Sequence, residues 1–131
     1  MGKDDIYGTK RYSNERRSIT MFKDTTLYAH MKVLSKGERT LLDFILKDMS
    51  DGLNTVTLNG DGMQRAIAET GLTKGTIEVF TSKLKKEGFI NKALLAYEYV
   101  VDPRLAIAGS EYEVYKNVAR IEEQLKLKAS K

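Results

Sequence analysis

The sequence contains no cysteine and only one histidine, His30. The first absence excludes thiol catalysis, disulfide bonds, cysteine-type zinc sites and iron–sulfur ligation together. The single histidine excludes any site built from two imidazoles, such as a two-histidine nickase centre or an H-E-x-x-H zinc helix. The carboxylates are scattered and do not pair at a catalytic spacing. We therefore expect no enzyme and no metal or cofactor site, and we expect His30 to be structural or exposed.

Long apolar runs are also missing from the chain. No segment approaches the roughly 18 consecutive apolar residues that a membrane-spanning helix needs. The first ten residues lack the apolar stretch of a secretory signal. These absences predict a soluble, cytoplasmic protein that makes no contact with a membrane.

Positive charge is in excess. The chain has 22 Lys and Arg residues against 18 Asp and Glu, which gives a formal net charge of +4. Such an excess favours an anionic partner, and nucleic acid is the first candidate. A length of 131 residues corresponds to one domain, which can bury a core without disulfides or a structural metal.

The chain divides into three segments. Residues 1–18 are basic and nearly free of aliphatic side chains, so we expect a flexible basic arm. Its Arg16 and Arg17 are candidates for neutralising phosphates. Residues 19–109 have the pattern of a folded domain, and residues 110–131 are expected to add a C-terminal helix.

The folded segment predicts an ordered series of short elements. Apolar residues at helical spacing predict a first helix near Leu27, and the S-x-x-E capping box at Ser35 predicts the start of a second helix. An alternating strand over 54–58 follows, then a helix capped by Asn59. Across a tight turn at 71–73, a further helix is predicted from about Lys74 to Glu87. Segments 89–92 and 95–101 predict a hairpin that ends before Pro103.

This order is typical of a winged helix-turn-helix domain, a mainly α, α+β fold with a small β-hairpin. In that fold the helix after the turn enters the major groove of DNA. With Ile77, Phe80 and Leu84 facing inward, its other residues are predicted to face DNA: bases near the N-terminal end and phosphates further along. The predicted DNA contacts are Thr73, Lys74, Gly75, Thr76, Val79, Ser82, Lys83 and Lys86, with Lys92 on the hairpin.

Two other patterns have competing interpretations. The segment Gly60-Asp61-Gly62 is like the start of the dinucleotide-binding fingerprint G-x-G-x-x-G. However, Arg65 stands where the fingerprint has its third glycine, and no β-α-β unit follows. Helix capping therefore explains these glycines better. The last helix presents an apolar seam at Val114, Val118, Ile121 and Leu125. That seam predicts either a homodimer interface or packing on the first helix of the same chain.

The stretch from about Met21 to Gly109 resembles the RepL-like plasmid replication proteins of Gram-positive bacteria. The residues that carry the resemblance are Met49 and Asn54, then Thr76-Ile77, Leu84 to Ile90, and Tyr97 to Pro103 with Gly109 beyond. The family usually has asparagine where this chain has Asp102. The resemblance implies a protein that binds plasmid DNA near an origin and helps to start replication without cutting DNA, with replication or partition proteins as further partners.

Two functions are consistent with these features. The first is a dimeric, sequence-specific reader of double-stranded DNA in plasmid replication, maintenance or transcriptional control. The second is a winged-helix module for protein–protein interaction that makes no direct DNA contact. Charge placement favours the first, because the segment from Thr73 to Lys92 has five lysines against two glutamates.

Overall fold

The computed structural model describes residues 9–11 and 18–129, and side chains from residue 19 onward. Within this part, the protein is a helix-rich α+β fold with two small antiparallel sheets. The helices are α1 Thr26–His30, followed by a 3₁₀ turn Met31–Val33, α2 Lys36–Asp48, α3 Gly60–Thr70, α4 Lys74–Lys86 and α5 Glu111–Ala129. The strands are β1 Thr9–Arg11, β2 Ser18–Met21, β3 Thr55–Thr57, β4 Ile90–Lys92, β5 Glu98–Val101 and β6 Ala106–Ala108.

Helix α2 forms the centre of the core. The predicted capping box is confirmed: Ser35 Oγ accepts the Glu38 N–H at 3.2 Å, and a Glu38 carboxylate oxygen accepts the Ser35 N–H at 2.8 Å. These bonds satisfy two backbone donors that a helix start leaves unpaired. Five apolar residues on successive turns of α2 are buried. Helices α3 and α4 both pack against α2. The buried residues are Leu41, Leu42, Phe44, Ile45 and Leu46.

The predicted hairpin is confirmed as strands β4 and β5, which pair antiparallel with Asn91 opposite Val100. Strand β3 completes this sheet on the other edge of β5, where Thr55 lies opposite Val100. The start of the second hairpin strand was predicted at Leu95, whereas β5 begins at Glu98. The difference arises because Leu95 and Glu98 are bonded to each other across a turn: each N–H donates to an oxygen of the other residue at 3.1 Å.

The second sheet was not predicted. Strand β2 lies between β1 and β6, with Ile19 opposite both Lys10 and Ala108. Strands of three or four residues carry little periodic signal, and the β2–β6 pairing joins segments far apart in sequence. The expected basic arm includes β1. The arm's last residue, Ser18, begins β2, and residues 1–8 and 12–17 lie outside the described part of the chain.

Asn54 joins the two sheets. It is fully buried and has a φ of 59°, in the left-handed region. Its Nδ2 donates to the carbonyls of Val101 and Ala106 at 3.1 and 2.8 Å, and its Oδ1 accepts the Ala108 N–H at 2.9 Å. One side chain therefore bonds the end of β5 to both ends of β6.

Helix α5 packs on the strands of its own chain. Val114 and Val118 form a small buried cluster with Val100 of β5 and Ile107 of β6. Of the two alternatives predicted for the apolar seam, this part of it packs within its own chain. Its packing partners are strands, however, and not the first helix as predicted. Ile121 is also buried, whereas Leu125 is only partly covered.

Gly62 lies in the first turn of α3, and its role there is close packing and not the predicted helix capping. A side chain at this position would collide with the backbone carbonyl of Thr57. The glycine therefore lets α3 approach β3 closely. Asn59 occupies the N-cap position of α3 as predicted, but its side chain makes no capping hydrogen bond. Among the described residues, no helix is long and apolar enough to cross a membrane.

Candidate nucleic-acid interface

Helix α4 follows α3 across a tight glycine turn. Gly71 has a φ of 75°, which L-residues with side chains rarely adopt, and its N–H donates to the Ile67 carbonyl at 3.0 Å. Thr73 then caps α4, since its Oγ1 accepts the Thr76 N–H at 3.2 Å. The turn and the cap together fix where α4 begins and in which direction it leaves α3.

One side of α4 is held firmly by the core. Ile77 and Leu84 are fully buried, and Thr81 is buried with its hydroxyl donating to the Ile77 carbonyl at 2.7 Å. Phe80, predicted to face inward, is half-buried, and its ring lies over Gly37 at the start of α2. The predicted inward face is therefore confirmed, with Thr81 as an additional buried member.

The opposite side of α4 is exposed to solvent. We call this surface the α4 face; it consists of Lys74, Gly75, Glu78, Val79, Ser82 and Lys86. Val79 is 66% exposed, whereas Ile77, two residues earlier on the same helix, is fully buried. Five of these six residues were predicted DNA contacts. Glu78 completes the face and adds a negative charge beside Lys74.

Thr73 and Thr76, also predicted to read bases, bond to each other. The Thr73 hydroxyl donates to the Thr76 hydroxyl at 3.0 Å while it accepts the Thr76 N–H. Thr76 is half-buried. Their hydroxyls are therefore engaged in starting the helix, and the exposed part of the α4 face begins with Lys74.

Lys83 was predicted to contact phosphate, but its ammonium lies 3.7 Å from a carboxylate oxygen of Glu87. The other oxygen of Glu87 is 2.7 Å from His30 Nε2, and the His30 ring stacks on Phe89 at 5.7 Å between centroids. The hydrogen bond with His30 lowers the pKa of the Glu87 carboxyl, and Lys83 lowers it further. The contacts of Glu87 with His30 tie α1 to the C-terminal end of α4. Because Glu87 also pairs with Lys83, the charge of Lys83 is partly neutralised, and Lys86 is the more available cation.

The β4–β5 hairpin lies beside the α4 face. Lys92 is exposed at the end of β4, as its predicted role requires. We call residues 93–97 the hairpin tip. Tyr97 of the tip shares a shallow pocket of about 230 Å³ with Lys74 and Glu78 of α4. Tyr99, behind the tip, has its pKa raised by burial and by the nearby Tyr97 and Glu78.

The structure thus brings together most of the predicted DNA contacts. Lys74, Gly75, Val79, Ser82 and Lys86 share one helix face, and Lys92 stands on the neighbouring hairpin. Arg16 and Arg17 lie outside the described residues.

Sequence reasoning missed the hairpin tip, where Leu95 and Tyr97 are exposed. The available signal is the apolar run Ala93-Leu94-Leu95-Ala96-Tyr97, which contains none of the usual turn residues. The tyrosines and valines of 97–101 favour a strand, and this preference extends the predicted strand back to Leu95.

The predicted dimerisation residues are divided by the structure. Val114 is fully buried against strands of the same chain. Val118 and Ile121 are each 8% exposed, and together with the partly buried Leu125 they line an open groove of about 710 Å³ between α5, the hairpin and Pro103. The seam is therefore open to a second copy only from Val118 onward, and mainly at its C-terminal end.

Comparison with protein-family models, with curated proteins and with solved structures finds no match. Within the described part of the chain, no three His, Asp or Glu side chains cluster in a way that could hold a metal ion.

Proposed function

We propose that this protein is a sequence-specific double-stranded DNA-binding protein with a winged helix-turn-helix core, acting in plasmid replication, maintenance or transcriptional control. In this proposal α3 and α4 are the helix-turn-helix, α4 enters the major groove, and the β4–β5 hairpin is the wing. The single observation that carries it is the α4 face: a rigidly held helix side whose exposed residues are those a duplex reader needs.

The chemistry of the α4 face supports base recognition. A lysine can donate to guanine, a glutamate can accept from the amino group of cytosine, and an apolar side chain can contact the thymine methyl group. Lys74, Glu78 and Val79 supply these three groups within the first two turns of α4. The free N–H groups at the helix start and the exposed Lys86 and Lys92 suit contacts with phosphate.

Gly75 gives independent support. It is exposed in the first turn of α4, has no positive φ, and a side chain there would meet nothing within 4 Å. The fold therefore does not require a glycine at this position, although glycine weakens a helix. Close approach of the helix backbone to a ligand is a reason to have one.

The test is to replace Lys86 and Lys92 with alanine and to measure duplex binding across a range of salt concentrations. Each phosphate contact releases counterions, so the double variant should bind all sequences more weakly, with a salt slope smaller by about two. The matched control is Lys23→Ala with Lys116→Ala, which removes the same charge from exposed positions outside α4, the hairpin and the open end of the α5 seam. Equal slopes for the two double variants would contradict the proposed docking.

A protein–protein interaction module remains the second candidate because of the groove along α5. The groove is lined by apolar residues that include Ile121, Leu125 and Pro103, together with the basic Lys92 and Lys126. If duplex binding by the parent protein is weak, equal for all sequences and abolished by salt, this groove becomes the surface to test.

A further inference from the structure

The hairpin tip is unusual for a surface turn because it contains no charged side chain and its single polar side-chain group is the hydroxyl of Tyr97. Its residues are Ala93, Leu94, Leu95, Ala96 and Tyr97. Leu95 is 67% exposed and Tyr97 is 56% exposed. Surface turns normally contain glycine, proline, asparagine or aspartate. The composition of the tip therefore calls for an explanation other than turn formation.

The tip is held in one conformation by several hydrogen bonds. Ala93 is fully buried, and its N–H donates to the Glu98 carbonyl at 2.9 Å. Glu98 makes two hydrogen bonds with Leu95: its N–H donates to the Leu95 carbonyl, and its carboxylate accepts the Leu95 N–H. The Leu58 N–H donates to the Tyr97 carbonyl at 2.9 Å, which ties the tip to the end of β3.

Tyr97 has a φ of 61°, in the left-handed region. For a bulky non-glycine residue this conformation costs on the order of 1 kcal/mol or more. Glycine or asparagine would adopt it more easily. The chain therefore keeps an aromatic side chain at a strained and exposed position, and such strain tends to occur at functional sites.

The position of the tip indicates what it contacts. Tyr97 lines the same pocket as Lys74 and Glu78 of the α4 face. A duplex seated on that face would therefore lie next to Tyr97, and the exposed Leu95 is two residues away in the same tip. The tip carries no cation, so it cannot bind phosphate through charge. Apart from the Tyr97 hydroxyl, its available contacts are apolar.

We propose that the hairpin tip is an apolar wedge: Leu95, backed by Tyr97, packs into the minor groove beside the α4 site, partly unstacks a base step and bends the duplex. This inference rests on the proposed DNA-binding function. Apolar side chains that enter a base step from the minor groove kink DNA toward the major groove. The flanking bases at such a step would be selected for ease of deformation and not for hydrogen bonding.

The experiment uses the best duplex recovered from a random library, with 2-aminopurine placed in turn at steps flanking the bound site and a fluorophore pair at the duplex ends. The tip variant combines Leu95→Ser with Tyr97→Gly, because glycine accepts the left-handed backbone and preserves the turn. The control variant combines Leu53→Ala with Tyr112→Ala, which removes an aliphatic and an aromatic side chain, both exposed, from positions outside α4, the hairpin and the open end of the α5 seam. Thermal melting checks that both variants are folded.

The parent and the control should raise 2-aminopurine fluorescence at one step and shorten the end-to-end distance. The tip variant should do neither, and its affinity should fall on the order of tenfold or more, as expected for losing two buried apolar contacts. Because the contact is not ionic, its salt slope should equal that of the parent.

Three results would overturn the wedge. If the tip variant binds and bends DNA as the control does, the tip makes no important contact, although the DNA-binding function stands. A loss that disappears as salt rises would show an electrostatic contact instead. If the parent itself selects no duplex, the DNA-binding function fails and the wedge fails with it.

Discussion

At the scale of the residue, Asn54 shows how much one side chain can determine. Its amide makes three hydrogen bonds to backbone groups, one to the end of β5 and two to β6, all in a buried environment. The sequence pattern places this residue at the start of a predicted strand but gives no indication of its role. Its partners lie 47 to 54 positions away, and such distant pairings have no local signal.

Asn54→Asp should destabilise the protein by about 3 kcal/mol or more, because it replaces a buried donor by an oxygen that faces two carbonyls. Urea unfolding measures the effect. Asn54→Gly relieves the backbone but loses the same bonds, so it should also destabilise, whereas the exposed Asn91→Asp should not. Parent-like stability of Asn54→Asp would show that these bonds contribute little.

A second residue-scale prediction concerns Glu87. Its folded pKa is lowered by His30 and Lys83, so its ionised form stabilises the fold above its ordinary value of 4.5, and this contribution is lost as the pH falls through the lower folded pKa. The difference in unfolding free energy between the parent and Glu87→Gln should therefore shrink between pH 6 and pH 3. The exposed Glu122→Gln is the control. A difference that stays constant over this range would contradict the assignment.

At the scale of the element, capping and turn signals predicted the helices well. The capping box at Ser35 and the turn at Gly71 are local chemistry, and both helices start where these signals indicate. The second sheet and the end of the hairpin were not predictable in the same way. Strand β6 and the turn at 93–97 depend on bonds to Asn54, Leu58 and Glu98, which only the assembled fold provides.

Gly75 gives the element-scale prediction for α4. Gly75→Ala should raise the free energy of unfolding by up to about 1 kcal/mol, because alanine favours a helix and meets no neighbour here. A larger Gly75→Leu substitution should leave the fold intact but weaken duplex binding by blocking close approach of the backbone. Gly71→Ala is the contrasting control, since its positive φ predicts destabilisation. Unimpaired DNA binding by Gly75→Leu would place the duplex elsewhere.

At the scale of the whole molecule, the open half of the α5 seam is where a second copy would bind. The groove beside Ile121 and Leu125 is lined partly by α5 itself, so two copies related by a two-fold axis could each place α5 against the other. Along this half of α5 the acidic Glu122 and Glu123 precede the basic Lys126 and Lys128, and this separation of charge suits an antiparallel pairing.

Leu125→Glu should therefore convert a dimer to a monomer in analytical ultracentrifugation without unfolding the chain, because Leu125 is only partly buried. The same change at the fully buried Val114 should unfold the chain instead, which separates loss of the interface from loss of the core. A parent protein that sediments as a monomer at all concentrations, or an unchanged dimer mass for Leu125→Glu, would remove the α5 interface.

The central claim is that the α4 face reads duplex sequence. The most direct measurement is selection of bound duplexes from a random library, followed by titration of the recovered duplex and a scrambled duplex at two salt concentrations. The account predicts a two-fold symmetric site bound roughly 10³-fold or more tightly than the scramble, a preference that persists at the higher salt. Weak and equal binding of both duplexes, lost as salt rises, would contradict it.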